Sequence, residues 1–145
     1  MTGARGVRCA RAVQYPDGYR HWTHVRSGMI GPSNPGFASF GGIHHIYAND
    51  AAMRGYAAGS FPEGSVLVFD RFEALTSKDD LTTHGARQVV DVMQKDSSRV
   101  TAVGGWDFEE FVGSTRARTS GSRDVCAKCH STQRSHDFMF SVYKD

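Results

Sequence analysis

The strongest constraint on this chain is a short run near its C-terminus, Cys126-Ala127-Lys128-Cys129-His130. Two cysteines separated by two residues and followed at once by a histidine are typical of covalent haem attachment. Each thiol adds to one haem vinyl group, and the histidine binds the iron from one side. With three cysteines and seven histidines in 145 residues, chance would produce this pattern only about 0.003 times. The run therefore predicts one haem c with Cys126 and Cys129 as attachment residues and His130 as metal ligand.

Two other chemistries use paired cysteines, and both stay open as alternatives. Zinc could be bound by Cys126, Cys129 and the nearby His136, but a tetrahedral site needs a fourth ligand, and the neighbours Cys129 and His130 rarely chelate one ion together. A thiol–disulfide redox site is expected at the start of a helix after a buried strand, whereas residues 115–125 are polar and predict a loop. The spacing favours haem.

Length and composition indicate one globular domain. The fractions of hydrophobic residues, 39%, and charged residues, 22%, are typical of a folded protein. The formal net charge is only +2, and the basic residues are scattered apart from Arg116, Arg118 and Arg123, which argues against nucleic acid as a partner. We expect no membrane span, because no apolar stretch is long enough to cross a bilayer.

The N-terminal residues differ from the rest of the chain. Residues 1–13 are basic, but they lack the continuous apolar core of a signal peptide. We expect residues 1–14 to form a flexible segment and residues 15–145 to form a single haem-binding cytochrome domain. The third cysteine, Cys9, is expected to be either a free thiol or part of the end of a removed leader.

The residue patterns predict an α+β fold that is mainly β. It comprises an antiparallel sheet with one or two packed helices, followed by the C-terminal haem motif. Segments rich in β-branched and aromatic residues predict five strands, at 22–27, 43–48, 65–74, 88–94 and 106–112. Residues 31–42, rich in Gly and Pro, predict a loop. Residues 51–58 predict a helix that Asn49 and Asp50 cap and Gly59 ends.

The position of the motif constrains the coordination of the iron. Only 145 − 130 = 15 residues follow His130, which disfavours the small electron-transfer cytochromes, whose second ligand is a methionine far downstream of the motif. Met139 is too near to reach the opposite haem face, and the alternation in residues 137–140 predicts a strand in the core. A five-coordinate iron is therefore expected. Upstream ligands stay open among Met29, Met53, Met93 and the other histidines.

Several further segments stand in a specific order along the chain. They are YPDGYRHW (15–22), IY (46–47), FPEGSV (61–66), KDS (95–97), GGW (104–106), the haem motif and DF (137–138). From about Tyr15 to Tyr143 the chain thus resembles the cytochrome P-460 family, nearer its lysine-free members, the cytochromes c′-beta. The resemblance implies a periplasmic bacterial homodimer of mainly antiparallel β structure. It also implies a haem with one face open to small ligands.

The resemblance directs attention to two positions. In hydroxylamine-oxidising members a lysine of the third predicted strand is bonded to the haem rim, and the matching residue here is Phe69, which implies an unmodified rim. Those members also carry a distal carboxylate, and the matching residue is Asp91. Its strand parity allows it to face either a haem pocket or solvent. Phe69, together with Phe40, is expected to cap the open haem face.

The expected function follows from this cap. Phenyl rings offer no strong hydrogen-bond donor for dioxygen, whereas NO and CO bind iron well without one. We expect a cytochrome that binds small gases such as NO and can exchange an electron with a redox partner protein. One alternative is an enzyme that oxidises hydroxylamine or nitric oxide, with Asp91 as proton acceptor. Another is a plain electron carrier.

Two adjacent histidines, His44 and His45, lie on the second predicted strand. Neighbouring residues of a strand point to opposite faces of the sheet, so only one of the two can approach the haem. For that residue, a contact with a haem propionate and an ordinary core or surface position both stay open.

Overall fold

The structure is a computed structural model that describes residues 12–100 and 102–144. Most of the N-terminal segment predicted to be flexible, and Cys9 within it, lie outside the described residues. No helix in the described part of the chain is long and apolar enough to cross a membrane.

Five antiparallel strands form one sheet, and each strand pairs with the next along the chain. The strands are β1 (Thr23–Ile30), β2 (Gly42–Ala48), β3 (Val66–Thr76), β4 (Thr82–Lys95) and β5 (Trp106–Val112). This sheet confirms the predicted mainly β, α+β fold. β4 begins six residues earlier than predicted, because its polar first half pairs with the end of β3 in an exposed hairpin.

Three α-helices accompany the sheet: α1 (Phe37–Phe40), α2 (Asp50–Ala58) and α3 (Ser122–His130). The predicted cap of α2 is confirmed, since the Asn49 side chain accepts a hydrogen bond from the Ala52 amide at 3.0 Å. Gly59 ends this helix with φ 80°, a left-handed conformation that glycine adopts without strain. α1 adds one helical turn within the segment that was predicted to be entirely loop.

The two faces of the sheet bury separate clusters. One face packs Val13, Tyr19, Val68, Val90 and Phe111. Asp70 lies on the same face and is only 1% exposed. Its carboxylate accepts hydrogen bonds from the Tyr19 hydroxyl at 2.7 Å and from Arg87 Nε at 2.7 Å.

The other face of the sheet carries a second core, and the haem motif packs on this side. Ile46, Leu67, Met93 and Phe108 project from neighbouring strands into this core. α3 packs against β5, and Cys126 and Ala127 contact the same core. The sheet therefore presents an apolar surface to Cys126 of the motif.

Candidate haem-binding site

The helix α3 carries the whole motif. It begins at Ser122, so the prediction of a loop through residue 125 was wrong by the first turn of the helix. Cys126 and Cys129 are three residues apart and half-buried, and this spacing places both thiols on the same side of the helix. Burial, followed by the charges of Asp91 and Glu110, raises the pKa of the Cys126 thiol to about 12.

A buried carboxylate fixes the start of this helix. Asp107 of β5 is 1% exposed, and it accepts hydrogen bonds from Arg123 Nε at 2.6 Å and Arg123 Nη2 at 2.5 Å. Arg99 Nη2 lies 2.9 Å from the same carboxylate. A bidentate guanidinium–carboxylate pair restricts both the separation and the relative orientation of the two side chains. It therefore holds the first turn of α3 against β5.

The imidazole of His130 lies at the end of α3 with a defined orientation. Its Nδ1 is 2.7 Å from the backbone oxygen of Phe138, and because a carbonyl oxygen can only accept, Nδ1 carries the proton. Nε2 is left with its lone pair, which is the form that binds metal. The ring lies between Phe108 and Phe140, with ring centroids 5.1 and 5.0 Å away. Burial lowers the pKa of His130, which favours the neutral imidazole.

The Phe138 carbonyl is presented by an unusual turn. Asp137 and Phe138 both have positive φ, 50° and 62°, so the prediction of a strand over residues 137–140 was wrong. The Asp137 carboxylate accepts from the Phe61 amide at 2.7 Å and from Lys95 Nζ at 2.8 Å. Trp106 Nε1 donates to the Asp137 backbone oxygen at 2.9 Å. Three partners distant in sequence thus hold this turn in place.

A cavity of about 340 Å³ opens between α3, residues 139–141 and the second face of the sheet. All six residues predicted for the site line it, namely Cys126, Cys129, His130, Phe69, Phe40 and Asp91. Much of the remaining lining is apolar, including Ile30, Ile46, Leu67 and Met93. Two thiols and one imidazole on an apolar cavity are the groups that haem c requires, so these residues fit that cofactor.

Asp91 takes the orientation that faces the cavity. It stands opposite Phe69 of β3 and Glu110 of β5 in the sheet register, and its Oδ1 is buried without a hydrogen-bond partner. Burial first, and the neighbouring Glu110 carboxylate second, raise the pKa of Asp91 well above its usual range. The Asp91 carboxyl therefore keeps its proton to a higher pH than most aspartates do.

His44 also faces the cavity, and sequence reasoning assigned it no role. The residue is 7% exposed, and its ring stacks on Phe69, with centroids 4.5 Å apart and planes inclined by 21°. His45 points to the opposite face, where its Nδ1 lies 2.6 Å from Ser27 Oγ. Strand alternation showed that one of the two could approach the haem, but the choice between them depends on the sheet register.

Comparison with known proteins identifies the family of this chain. The sequence model of the family described as Cytochrome P460 matches residues 16–141, which is most of the chain. The chain belongs to the cytochrome P460 family. Its cofactor is therefore haem c, bound covalently and containing iron. Members of the cytochrome P460 family are generally secreted or periplasmic. Comparison with curated proteins gives no match.

The zinc alternative has no support from the arrangement of side chains. Across residues 12–100 and 102–144, no group of three or more His, Cys, Asp or Glu side chains is placed so that it could hold a metal ion. His136 is the last residue of a 3-10 helix, Ser131–His136, which follows α3. Its Nδ1 lies 3.2 Å from Ser135 Oγ. Membership of the cytochrome P460 family favours haem attachment at the same cysteines.

Proposed function

We propose that this cytochrome P460 family member binds small gases such as NO and CO at a five-coordinate haem iron, with His130 as the single protein ligand. The observation that carries the proposal is the cavity itself, which extends from His130 across the sheet to Phe69 and Phe40. When bound, the haem supplies an open coordination position and a one-electron redox couple. Electron exchange with a partner protein, a periplasmic location and a homodimer belong to the same proposal.

The methionines that line the cavity support five-coordination. Met139 follows Phe138, whose carbonyl accepts from His130 Nδ1, and it lines the cavity. Met93 is paired in the sheet with Phe108, and the Phe108 ring also contacts His130. Since both methionines lie next to residues that contact His130, we expect neither of them to serve as a second iron ligand.

Absorbance spectra of the mature protein test the proposal. We expect high-spin spectra in the oxidised and reduced states and a clear change on adding CO or NO to the reduced protein, because the sixth position is open. Spectra of a low-spin, six-coordinate haem in both states, unchanged by either gas, would contradict the proposal and favour a plain electron carrier.

Oxidation of hydroxylamine is the second candidate, and the position of Asp91 in the cavity is the observation in its favour. A proton acceptor must be ionised at the working pH. The pKa of Asp91 is raised by burial and by Glu110, so this carboxyl releases its proton less readily than most aspartates and is less suited to act as the acceptor. Phe69 also has no nucleophilic atom that could bond the haem rim. Both points favour gas binding.

Replacing Phe69 by Ala is expected to speed the entry of CO while leaving the covalent haem in place. The ring is partly buried against the cavity core, so its loss enlarges the cavity and should cost about 3 kcal/mol or less of stability. Flash photolysis of the CO complex measures the association rate, with Phe69→Leu as the control that keeps most of the apolar volume. An unchanged rate in Phe69→Ala, or a third haem–protein bond in the wild-type peptide map, would count against Phe69 as a cap.

A further inference from the structure

We propose that His44 selects among ligands in the cavity by donating a hydrogen bond to those that carry negative charge or an acceptor atom. The proposal rests on the proposed function, since it requires a ligand to enter the cavity. Phe69 and Phe40 would then provide the apolar part of the pocket, and His44 would provide the polar contact that distinguishes an anion such as cyanide from CO.

The position of His44 in the sheet carries the first step. His44 lies on β2, and the His130 ring packs on Phe108 of β5. Adjacent strands are about 4.8 Å apart, so β2 and β5, three strands apart, are separated by roughly 14 Å. The two histidines therefore line the same cavity from well-separated parts of the fold, and His44 would be available to a ligand bound in that cavity.

Packing fixes the ring of His44. One side stacks on Phe69, and the ring edge lies over Gly28 of β1. A Cβ at Gly28 would come within 2.9 Å of both Cε1 and Nε2 of His44. Arg26 and Ile30, which share the strand face of Gly28, both line the cavity. The glycine thus leaves space for the Nε2 edge of the ring between two residues that line the cavity.

The protonation of the ring makes it a donor. Nδ1 is sealed from solvent and has no hydrogen-bond partner among the described residues. A buried N–H without an acceptor is rarer and costlier than an unpaired acceptor, so the proton is expected on Nε2. Burial, and then the positive charges of Arg26 and His45, lower the pKa of His44 to about 4. The ring is neutral at pH 7, with one N–H to donate.

Infrared spectroscopy of the CO complex and cyanide titration of the oxidised protein test this donor. In His44→Phe the C–O stretching band should move to higher wavenumber, because a hydrogen bond to the ligand lowers that frequency. The dissociation constant for cyanide should rise about tenfold, because the variant loses one hydrogen bond to the bound anion. The constant for CO should change less than twofold. His44→Gln, which keeps an N–H, should fall between the two proteins.

Gly28→Ala provides an independent variant that keeps His44 in the chain. The added Cβ would displace the ring edge, so the C–O band and the cyanide affinity should shift in the same direction as in His44→Phe. Identical bands and affinities in wild type, His44→Phe and Gly28→Ala would overturn the role of His44 while leaving gas binding intact. A wild-type protein that binds neither CO nor cyanide would overturn the proposed function, and the His44 proposal with it. A low-spin spectrum that becomes high-spin in His44→Phe would also overturn the proposal, because it would make His44 an iron ligand.

Discussion

Replacing both Cys126 and Cys129 by Ser is expected to abolish covalent haem completely. Intact mass measured after denaturation should equal the mass of the polypeptide alone, whereas the wild type should be heavier by one haem. A serine hydroxyl has nearly the shape of a cysteine thiol but does not add to a vinyl group, so the cavity should survive while the attachment is lost. Both positions are half-buried on one side of α3, which makes the exchange mild for folding.

The third cysteine provides a matched control. Cys9→Ser carries the same chemical change outside the motif and should keep the full haem mass and spectrum. Either single variant, Cys126→Ser or Cys129→Ser, should keep haem through one thioether bond. The wild type should be produced in cells that have the haem attachment machinery. If the purified protein then contains zinc and no haem, the assignment of both cysteines is contradicted.

Local sequence signals predicted much of the fold. β-branched and aromatic segments located all five strands, and the pair of Asn49 and Gly59 located both ends of α2. These signals act over a few residues, since a side chain that caps an amide or a glycine with positive φ needs no distant partner. The haem motif is of the same kind, because two cysteines and a histidine within five residues specify their chemistry without the rest of the fold.

The sequence did not predict the features that depend on distant contacts. The first turn of α3 is polar and has no apolar repeat, and it is held by Arg123 on the buried Asp107. The choice of His44 over His45 depends on the register between β2 and β3. The pairing of Asp91 with Glu110 likewise depends on the register between β4 and β5. Alternation along a strand divides its residues between the two faces of the sheet, but only the assembled sheet determines which of the two sets lines the cavity.

The turn at Asp137 shows the same limit most clearly. Alternating apolar and polar residues predicted a strand there, yet two successive residues adopt the left-handed conformation. Aspartate tolerates that conformation better than most residues, whereas phenylalanine does not. The cost is offset by partners from three separate parts of the chain, Phe61, Lys95 and Trp106. A local pattern carries no information about such partners.

Asp137→Ala is expected to destabilise the haem-loaded protein by about 3 kcal/mol. The variant removes the acceptor for the Phe61 amide and the ionic partner of Lys95, which is only 14% exposed. It also places alanine at φ 50°, a conformation that alanine adopts less readily than aspartate. Urea unfolding of the haem-loaded protein measures the change. Asp79→Ala, which removes the same charge from an exposed hairpin residue, should change stability by less than about 0.5 kcal/mol.

The same variant should also raise the reduction potential of the haem. The turn at Asp137 presents the Phe138 carbonyl to His130 Nδ1 at 2.7 Å. A hydrogen bond from Nδ1 makes the opposite nitrogen more basic, and a more basic ligand favours oxidised iron. Loosening the turn weakens that bond, so the reduced state gains stability relative to the oxidised state. Asp137→Asn keeps one acceptor oxygen and tolerates positive φ, so its potential should lie between those of wild type and Asp137→Ala. Equal potentials in all three proteins would show that the Phe138 carbonyl is held by other contacts and that Asp137 does not position His130.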